Sequence, residues 1–286
     1  MEPIKHKIDF AAIVRVRNAN PNGDPLNGNR PRVNYEGEGE ISDVCIKRKI
    51  RNRLMDDFDI FVQSDDNKVD AYQSLRARAE GEIDKELWKE GKKSAFVDAV
   101  CEKWIDVRAF GQVFAYKGDK KGEGVSVGIR GPVSIHPAFS VAPVLDRISS
   151  IQITKSVSGE GDGSKKASDT MGIKHRVDHG VYVFYGSINP QLATKTGFSD
   201  EDAQAIKEAL RTLFRNDASS ARPEGSMEVY RLYWWEHNSR NGQYSSAKVH
   251  RLLTVAPKED EPRSISDYSI ALESLPDLSC EEIEGD

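Results

Sequence analysis

The apolar positions of this chain change period along its length, and the changes mark its elements. From Ile8 to Val16 the alternation suits a strand, with Phe10, Val14 and Val16 on one face and Asp9, Ile13 and Arg15 on the other. Ser42 is a fitting N-cap and Asp43 suits a first turn. Ile46, Ile50 and Leu54 then repeat four apart, which predicts a helix from Ser42 to Phe58. Residues 59–106 are polar and charge-mixed, with helical patterning in Ala71–Trp88 and Ala95–Ile105; Phe96, Val97, Val100, Cys101, Trp104 and Ile105 share one face. This span reads as a helical insertion, too poor in apolar residues to fold alone. Strand-like segments follow at Phe110–Tyr116, Val125–Ser134 and Ile148–Thr154, then a glycine-rich basic loop, Lys155–Asp178, and an apolar strand, Val181–Ile188. Ser199-Asp200-Glu201-Asp202 resembles a capping box, continued by Ala203, Ile206, Leu210, Leu213 and Phe214 as an amphipathic helix. Strands are predicted at Met227–Glu236 and Ala247–Val255. Trp234 and Trp235 should face opposite ways, one buried and one outward.

The order is strand, helix, several strands, helix, strand. It suits an α+β fold with helices on one face of an antiparallel sheet, the ferredoxin-like plan that RNA-recognition domains share. The residues after Pro257 are expected to be partly disordered or laid over the surface.

Charge changes this picture in one respect. The 286 residues carry a formal net charge of −5, yet 258–286 hold ten acids against two bases. The remaining body is mildly basic, so local clusters matter more than the total. Length allows one elaborated domain or two. Cys45, Cys101 and Cys280 are too far apart and too few for a disulfide framework or a cysteine zinc site. No apolar run reaches bilayer length and the first residues lack a signal-peptide core, so a soluble, cytoplasmic protein without a membrane partner is expected.

The candidate chemistry begins at Arg15–Arg32, RVRNANPNGDPLNGNRPR, where four Arg and five Asn accompany one acid, Asp24. Asn, Gly, Asp and Pro make tight turns, and the arginines and amides offer donors to phosphate and ribose at a strand end. A turn-rich loop with no partner explains the same composition. Lys47, Arg48, Lys49, Arg51 and Arg53 crowd five bases into seven positions, too many for an ordinary solvated face. The loop Lys155–Asp178 lacks a phosphate-loop pattern, and His175 and His179 have no evident third ligand, so no nucleotide site, metal or other cofactor is expected. Asp106 to Phe114 echoes the basic-then-Phe-Gly pattern of RNA-recognition motifs, placing Phe110 for stacking or for the core. No hydrolase or metalloprotease motif is present.

Several segments together resemble the Cas-seven superfamily, the backbone subunits of type I CRISPR Cascade complexes, most like subtype I-C. They are R-x-R-N-x-N-P-N-G-D-P at 15–25 with the basic helix, D-V-R-x-F-G at 106–111, G-P-V at 131–133, and the I-T-K-S…M-G-x-K-H-x-V-D-x-G run of 153–180. The resemblance runs from about residue 8 to 255. It implies a palm on a modified RNA-recognition fold (1–58 and 107–257), a helical finger (59–106) and a flexible thumb loop within the palm (154–179), with 258–286 as an acidic tail. The resemblance implies a non-catalytic subunit, although some distant relatives in the superfamily cleave RNA from a backbone-subunit aspartate. Backbone subunits stack head to tail along a CRISPR guide RNA beside other Cascade subunits and leave its bases free for target DNA. Carried over by motif, Arg15, Arg17, Asn18, Asn20, Asn22 and Arg32 would lie by the guide backbone, with Lys47, Arg48, Arg51, Arg108 and Gln112. Thr154, Lys155, Ser156, Met171, Lys174 and His175 would belong to the thumb and its base. Two alternatives stay open: a metal-dependent ribonuclease using Asp24, and an interaction module whose acidic tail binds a basic partner.

Overall fold

In a computed structural model, residues 2–89, 91–117, 124–154 and 171–286 are described. The chain starts with a long strand, β1 (Ile8–Ala19), then two short ones, β2 (Gly23–Asp24) and β3 (Arg30–Pro31), and β4 (Glu38–Ile41). Helix α1 (Asp43–Leu54) is capped by Ser42, whose side chain accepts from the Cys45 amide. Next come α2 (Leu75–Glu82), α3 (Lys93–Lys103) and α4 (Ile105–Phe110), then β5 (Gly111–Lys117) and β6 (Gly124–Arg130). Strands β7 (Val133–Ile135), β8 (Ala138–Pro143), β9 (Ile148–Thr154) and β10 (Met171–Ile188) precede α5 (Pro190–Thr196) and α6 (Asp200–Arg211). The chain ends through β11 (Met227–Glu236), α7 (Ser246–His250), β12 (Leu253–Pro257), β13 (Tyr268–Leu272) and β14 (Cys280–Glu284).

The main sheet is antiparallel and runs β14-β11-β1-β10-β8-β4, with β7 and β9 also pairing β10. One face of β1, carrying Phe10, Val14 and Val16, packs under α1 and α6, whose Ile46, Ile50, Leu54, Ile206 and Leu210 fill the main core. The capping box forms as predicted, with Ser199 and Asp202 bonding each other's backbone. The opposite face, with Ala11, Ile13, Tyr233 and Trp235, is covered by Val249, Leu252, Leu253, Tyr268 and Leu278. That second cover overturns one expectation: Trp234 and Trp235 point to opposite faces, yet both are buried, at 2% and 1% exposure.

The same cover revises the residues after Pro257. They pair as β13 on β12, and β14 adds the last strand to the main sheet beside β11. Residues 171–178, read as loop, are the first half of β10, and 247–250 are helical because Ser245 caps α7. The 59–106 span is richer in core than its composition suggested. Phe61 lies 4.6 Å from Trp104 and 5.1 Å from Phe114, ring to ring, in a second core that borrows the β5–β6 hairpin. The strand expected from Phe110 starts at Gly111, whose φ of 79° no side chain adopts easily and where a Cβ would meet the Ile129 carbonyl at 2.2 Å.

Beneath the second cover Asp9 is fully buried, accepting from Lys7 Nζ and His237 Nε2, both at 2.8 Å. Burial pushes its carboxyl up, but these bonds, with one from Ser246, outweigh it and hold the pKa below the ordinary value. Burial also lowers the pKa of His250 and His179 from 6.5. A lowered histidine contributes stability that is present above the unfolded pKa and lost as pH falls, because the unfolded chain takes the proton first. Urea midpoints should therefore drop as pH falls below about 6.5, and His250→Gln should flatten that drop. A midpoint independent of pH from 8 to 5.5 would contradict this.

Candidate nucleic-acid interface

β1 carries Arg15 and Arg17 to one end of the sheet, where Arg17 pairs with His179 of β10. Arg15 Nε lies 2.9 Å from Glu228 on the other neighbouring strand. Arg17 is exposed, as is Asn18, which takes φ 54°, a conformation asparagine tolerates. No ion pair among the described residues holds Arg17.

Past Asn18 the loop is fastened by its own amides. Asn20 is buried and donates to the Asn29 carbonyl at 2.7 Å, while its Oδ1 is buried without a hydrogen-bond partner. Asn22 Oδ1 accepts from both the amide and hydroxyl of Ser42 at 2.9 Å, tying the loop to the start of α1. Asp24 Oδ1 caps the Leu26 amide at 3.1 Å and faces Arg32 at 3.6 Å. Asn20, Asn22 and Asp24 therefore act first as struts. Arg17 and Asn18 present donors outward, while Arg30 and Arg32 are half-exposed and the Nε of Arg32 is buried without a hydrogen-bond partner.

The basic helix is used differently from either sequence reading. Lys47 pairs with Asp43 at 3.0 Å, and Arg48 donates to the Val62 carbonyl at 2.6 Å. Lys49, 4% exposed, is paired with Asp217. Arg51 donates to Asp106 at 2.8 Å and lies 5.1 Å from the Phe110 ring, so Phe110 packs beneath a guanidinium. Asp106 is fully buried and also accepts from the Phe61 and Val62 amides at 2.7 and 3.1 Å. Arg48 and Arg51 fasten α1 to the second core, whereas Lys47 pairs within the helix and Lys49 with Asp217. Lys47 and Arg48 keep some outward surface.

Arg108 departs furthest from its expected place. It is 5% exposed and grips Asp202 with two bonds, 2.8 and 2.7 Å, while also donating to the Cys101 and Glu102 carbonyls. Its donors are spent inside the protein. Gln112 sits half-buried on the β5–β6 hairpin, away from β1, and bonds the Val113 carbonyl at 3.1 Å.

The base of the predicted thumb continues into β10, the strand against which the N-terminal loop packs. Thr154 and Met171 close the β9–β10 ladder as a Cα pair, and Lys155 and Ser156 lie outside the described residues. Further along, His175 Nδ1 and Ser150 Oγ are 2.7 Å apart, and Lys174 is half-exposed opposite Ile151. β3 of the N-terminal loop packs against β10.

Electrostatics show which cations converge. Burial lowers the His179 pKa first, Arg147, Arg15 and Arg17 lower it further, and Asp267 opposes them, so three guanidiniums and one carboxylate share its surroundings. Burial raises the Cys45 thiol, opposed by Lys49, Arg222 and Arg32. Arg147 and Arg222 were invisible in the sequence, since each stands alone in a turn. His179 is seven per cent exposed, packs on Tyr268, and its Nε2 has no hydrogen-bond partner. Arg15, Arg17 and Arg147 around His179, and Arg32 and Arg222 around Cys45, form a cationic strip, with Lys174 five residues before His179 on β10. Within it Arg15, Arg32 and Arg222 also meet Glu228, Asp24 and Asp217, and Arg147 donates to the Asp260 carbonyl. Guanidiniums of this kind suit phosphate and ribose. Among the described residues no group of three or more His, Cys, Asp or Glu is placed to hold a metal. No described helix is long and apolar enough to cross a membrane.

Arg51→Ala is expected to lower stability by about 3 kcal/mol or more, because it leaves Asp106 buried with less compensation. Urea unfolding checks this; an unchanged midpoint would return Arg51 to the surface-cation class.

The family model described as CRISPR-associated protein Cas7 matches residues 6–273. The chain is 27% identical to a CRISPR-associated protein Cas7 of Haloferax volcanii, over 94% of this chain and 82% of that one. Among solved structures it is similar to a chain of a CRISPR RNA-guided surveillance complex, pre-nicking, with TM-score 0.48 and 16% identity, covering 80% of this chain and 78% of that one. A chain of another CRISPR RNA-guided surveillance complex gives TM-score 0.42 and 16% identity, with 80% and 68% covered.

Proposed function

For a chain that belongs to the Cas7 family of CRISPR-associated proteins, we propose the role of a non-catalytic backbone subunit that holds CRISPR guide RNA. The observation that carries this is the cationic strip at the strand ends: its donors suit phosphate and ribose. A subunit that must take any guide needs backbone contacts and leaves sequence reading to base pairing. In this reading Arg15, Arg17, Asn18, Arg32, Lys47, Arg48, Lys174 and His175 line the guide, joined by Arg147 and Arg222. Asn20 and Asn22 shape the loop that presents them, and Thr154, Lys155, Ser156 and Met171 lead into the thumb.

The finer points belong to the same proposal. The order β11-β1-β10-β8, with α1 and α6 on one face, supports a modified RNA-recognition palm. The second core would be the finger. Copies would stack head to tail in the cytoplasm beside other subunits of a subtype I-C Cascade, and the exposed guide bases would pair with target DNA. Asp24 is a turn residue in this reading, its Oδ1 engaged by Leu26 and Arg32, which leaves the ribonuclease alternative with less support.

The test is the RNA that comes with the protein when it is produced with a CRISPR array. The proposal expects RNA of uniform length with repeat-derived ends. Random cellular RNA, or none, would overturn it.

A further inference from the structure

Away from the cationic strip, a second set of bases lies under the last strand. Lys207, Arg211 and Arg215 repeat four residues apart along α6 and just past its end, a spacing that aligns them on one side of a helix. Arg53 joins this ridge through its bond to Thr212 Oγ1 at 3.1 Å. Each ridge base meets an acid or the chain's end segment. Lys207, whose ammonium lies 5.2 Å from the Trp234 ring, is paired with Glu281 of β14. Arg215 is paired with Asp286, and the Asp286 amide donates to the Arg211 carbonyl at 3.1 Å. Arg211 itself is held by Glu208 at 2.7 Å.

Backbone pairing alone would let β14 close the edge of β11 with any side chains. Its register sets Glu281 opposite Trp234 and Ile283 opposite Leu232, the side of the sheet that packs under α6. On that side the strand places Glu281 against Lys207, and Asp286, two residues past the strand, meets Arg215. β14 also covers the half of β11 that pairs with Ile8–Ile13, not the end that leads to Arg17. A ridge of this kind left bare would attract any polyanion, in proportion to the phosphates it could neutralise.

We propose that the last strand serves as an internal polyanion, occupying the Lys207–Arg211–Arg215 ridge and denying it to nucleic acid. RNA is thereby confined to the strand-end face. The masking goes beyond the guide-binding reading and holds whether or not the N-terminal loop takes the guide.

The test uses the full chain, freed of RNA at high salt, and a mixed-sequence single-stranded RNA without CRISPR repeats. Glu281→Gln with Asp286→Asn removes the two charges and keeps side-chain size and strand pairing. Anisotropy titrations across salt should show roughly tenfold tighter binding at low salt, with a log–log salt slope steeper by about 1.4, or about 0.7 per released contact. Adding Lys207→Gln and Arg215→Gln should return both values to the parental ones. Repeating the pair in an Arg17→Gln, Lys174→Gln background should leave the gain in place, which separates this inference from the guide-binding reading. Unchanged affinity and slope, with a parental urea midpoint, would overturn the masking. So would a gain that survives Lys207→Gln and Arg215→Gln.

Discussion

Arg108→Ala should lower the unfolding free energy by about 3–5 kcal/mol, because it leaves the Asp202 carboxylate buried without its partner. Asp202 is 1% exposed and accepts two guanidinium bonds while also closing the capping box of α6. The same substitution orphans the Cys101 and Glu102 carbonyls at the end of α3. Arg108→Lys should recover little, since a point charge cannot grip both carboxylate oxygens. The measurement is urea unfolding, with RNA binding followed in parallel well below the transition. A stability loss without a specific change in the salt slope fits a structural arginine. A flattened slope at unchanged stability would restore Arg108 to the guide surface.

Arg17→Glu with Lys174→Glu should act in the reverse way. Both side chains retain exposure and neither has an ion pair among the described residues. Stability should hold within about 0.5 kcal/mol, as surface substitutions usually do. RNA affinity at physiological salt should fall by roughly 10–100-fold, equally for unrelated guide sequences, and the salt slope should flatten by about 1.4. Titration of two guides of different sequence, each over a salt series, measures both quantities. Loss confined to one guide would mean base readout, and wild-type affinity would mean that the strip is a solvated surface.

Much of the fold was legible because it is set locally. β1 opens on a long apolar run that both faces of the sheet bury, and Ser42 and Ser199 stand where their helices begin. What was missed depended on partners distant in sequence. Arg108 and Asp202 are 94 residues apart, and Arg51 and Asp106 are 55 apart, so nothing local distinguished these bases from guide contacts. Trp235 is buried because Val249 to Leu253 and the chain after Pro257 together cover the second face, the latter concealed by an acidic composition. In 171–178, glycine and charge hid the period of two in Ile173, His175 and Val177. The N-terminal loop was legible as a place, but its residues divided only in three dimensions. Asn20 and Asn22 hold the loop's shape, Arg17 offers donors, and Arg32 is half-buried beside Asp24. Arg147 and Arg222 joined them only through the fold.

Where the RNA runs is open to direct measurement. Protein carrying its guide can be crosslinked by ultraviolet light, digested, and its RNA-bearing peptides mapped by mass spectrometry. Adducts should concentrate in 15–32, 147–154 and 171–179, with the stretch around Arg222 beside them. They should be absent from 200–216 and 279–286. Adducts centred on those last two segments, or on the β5–β6 hairpin alone, would contradict a guide held at the strand ends.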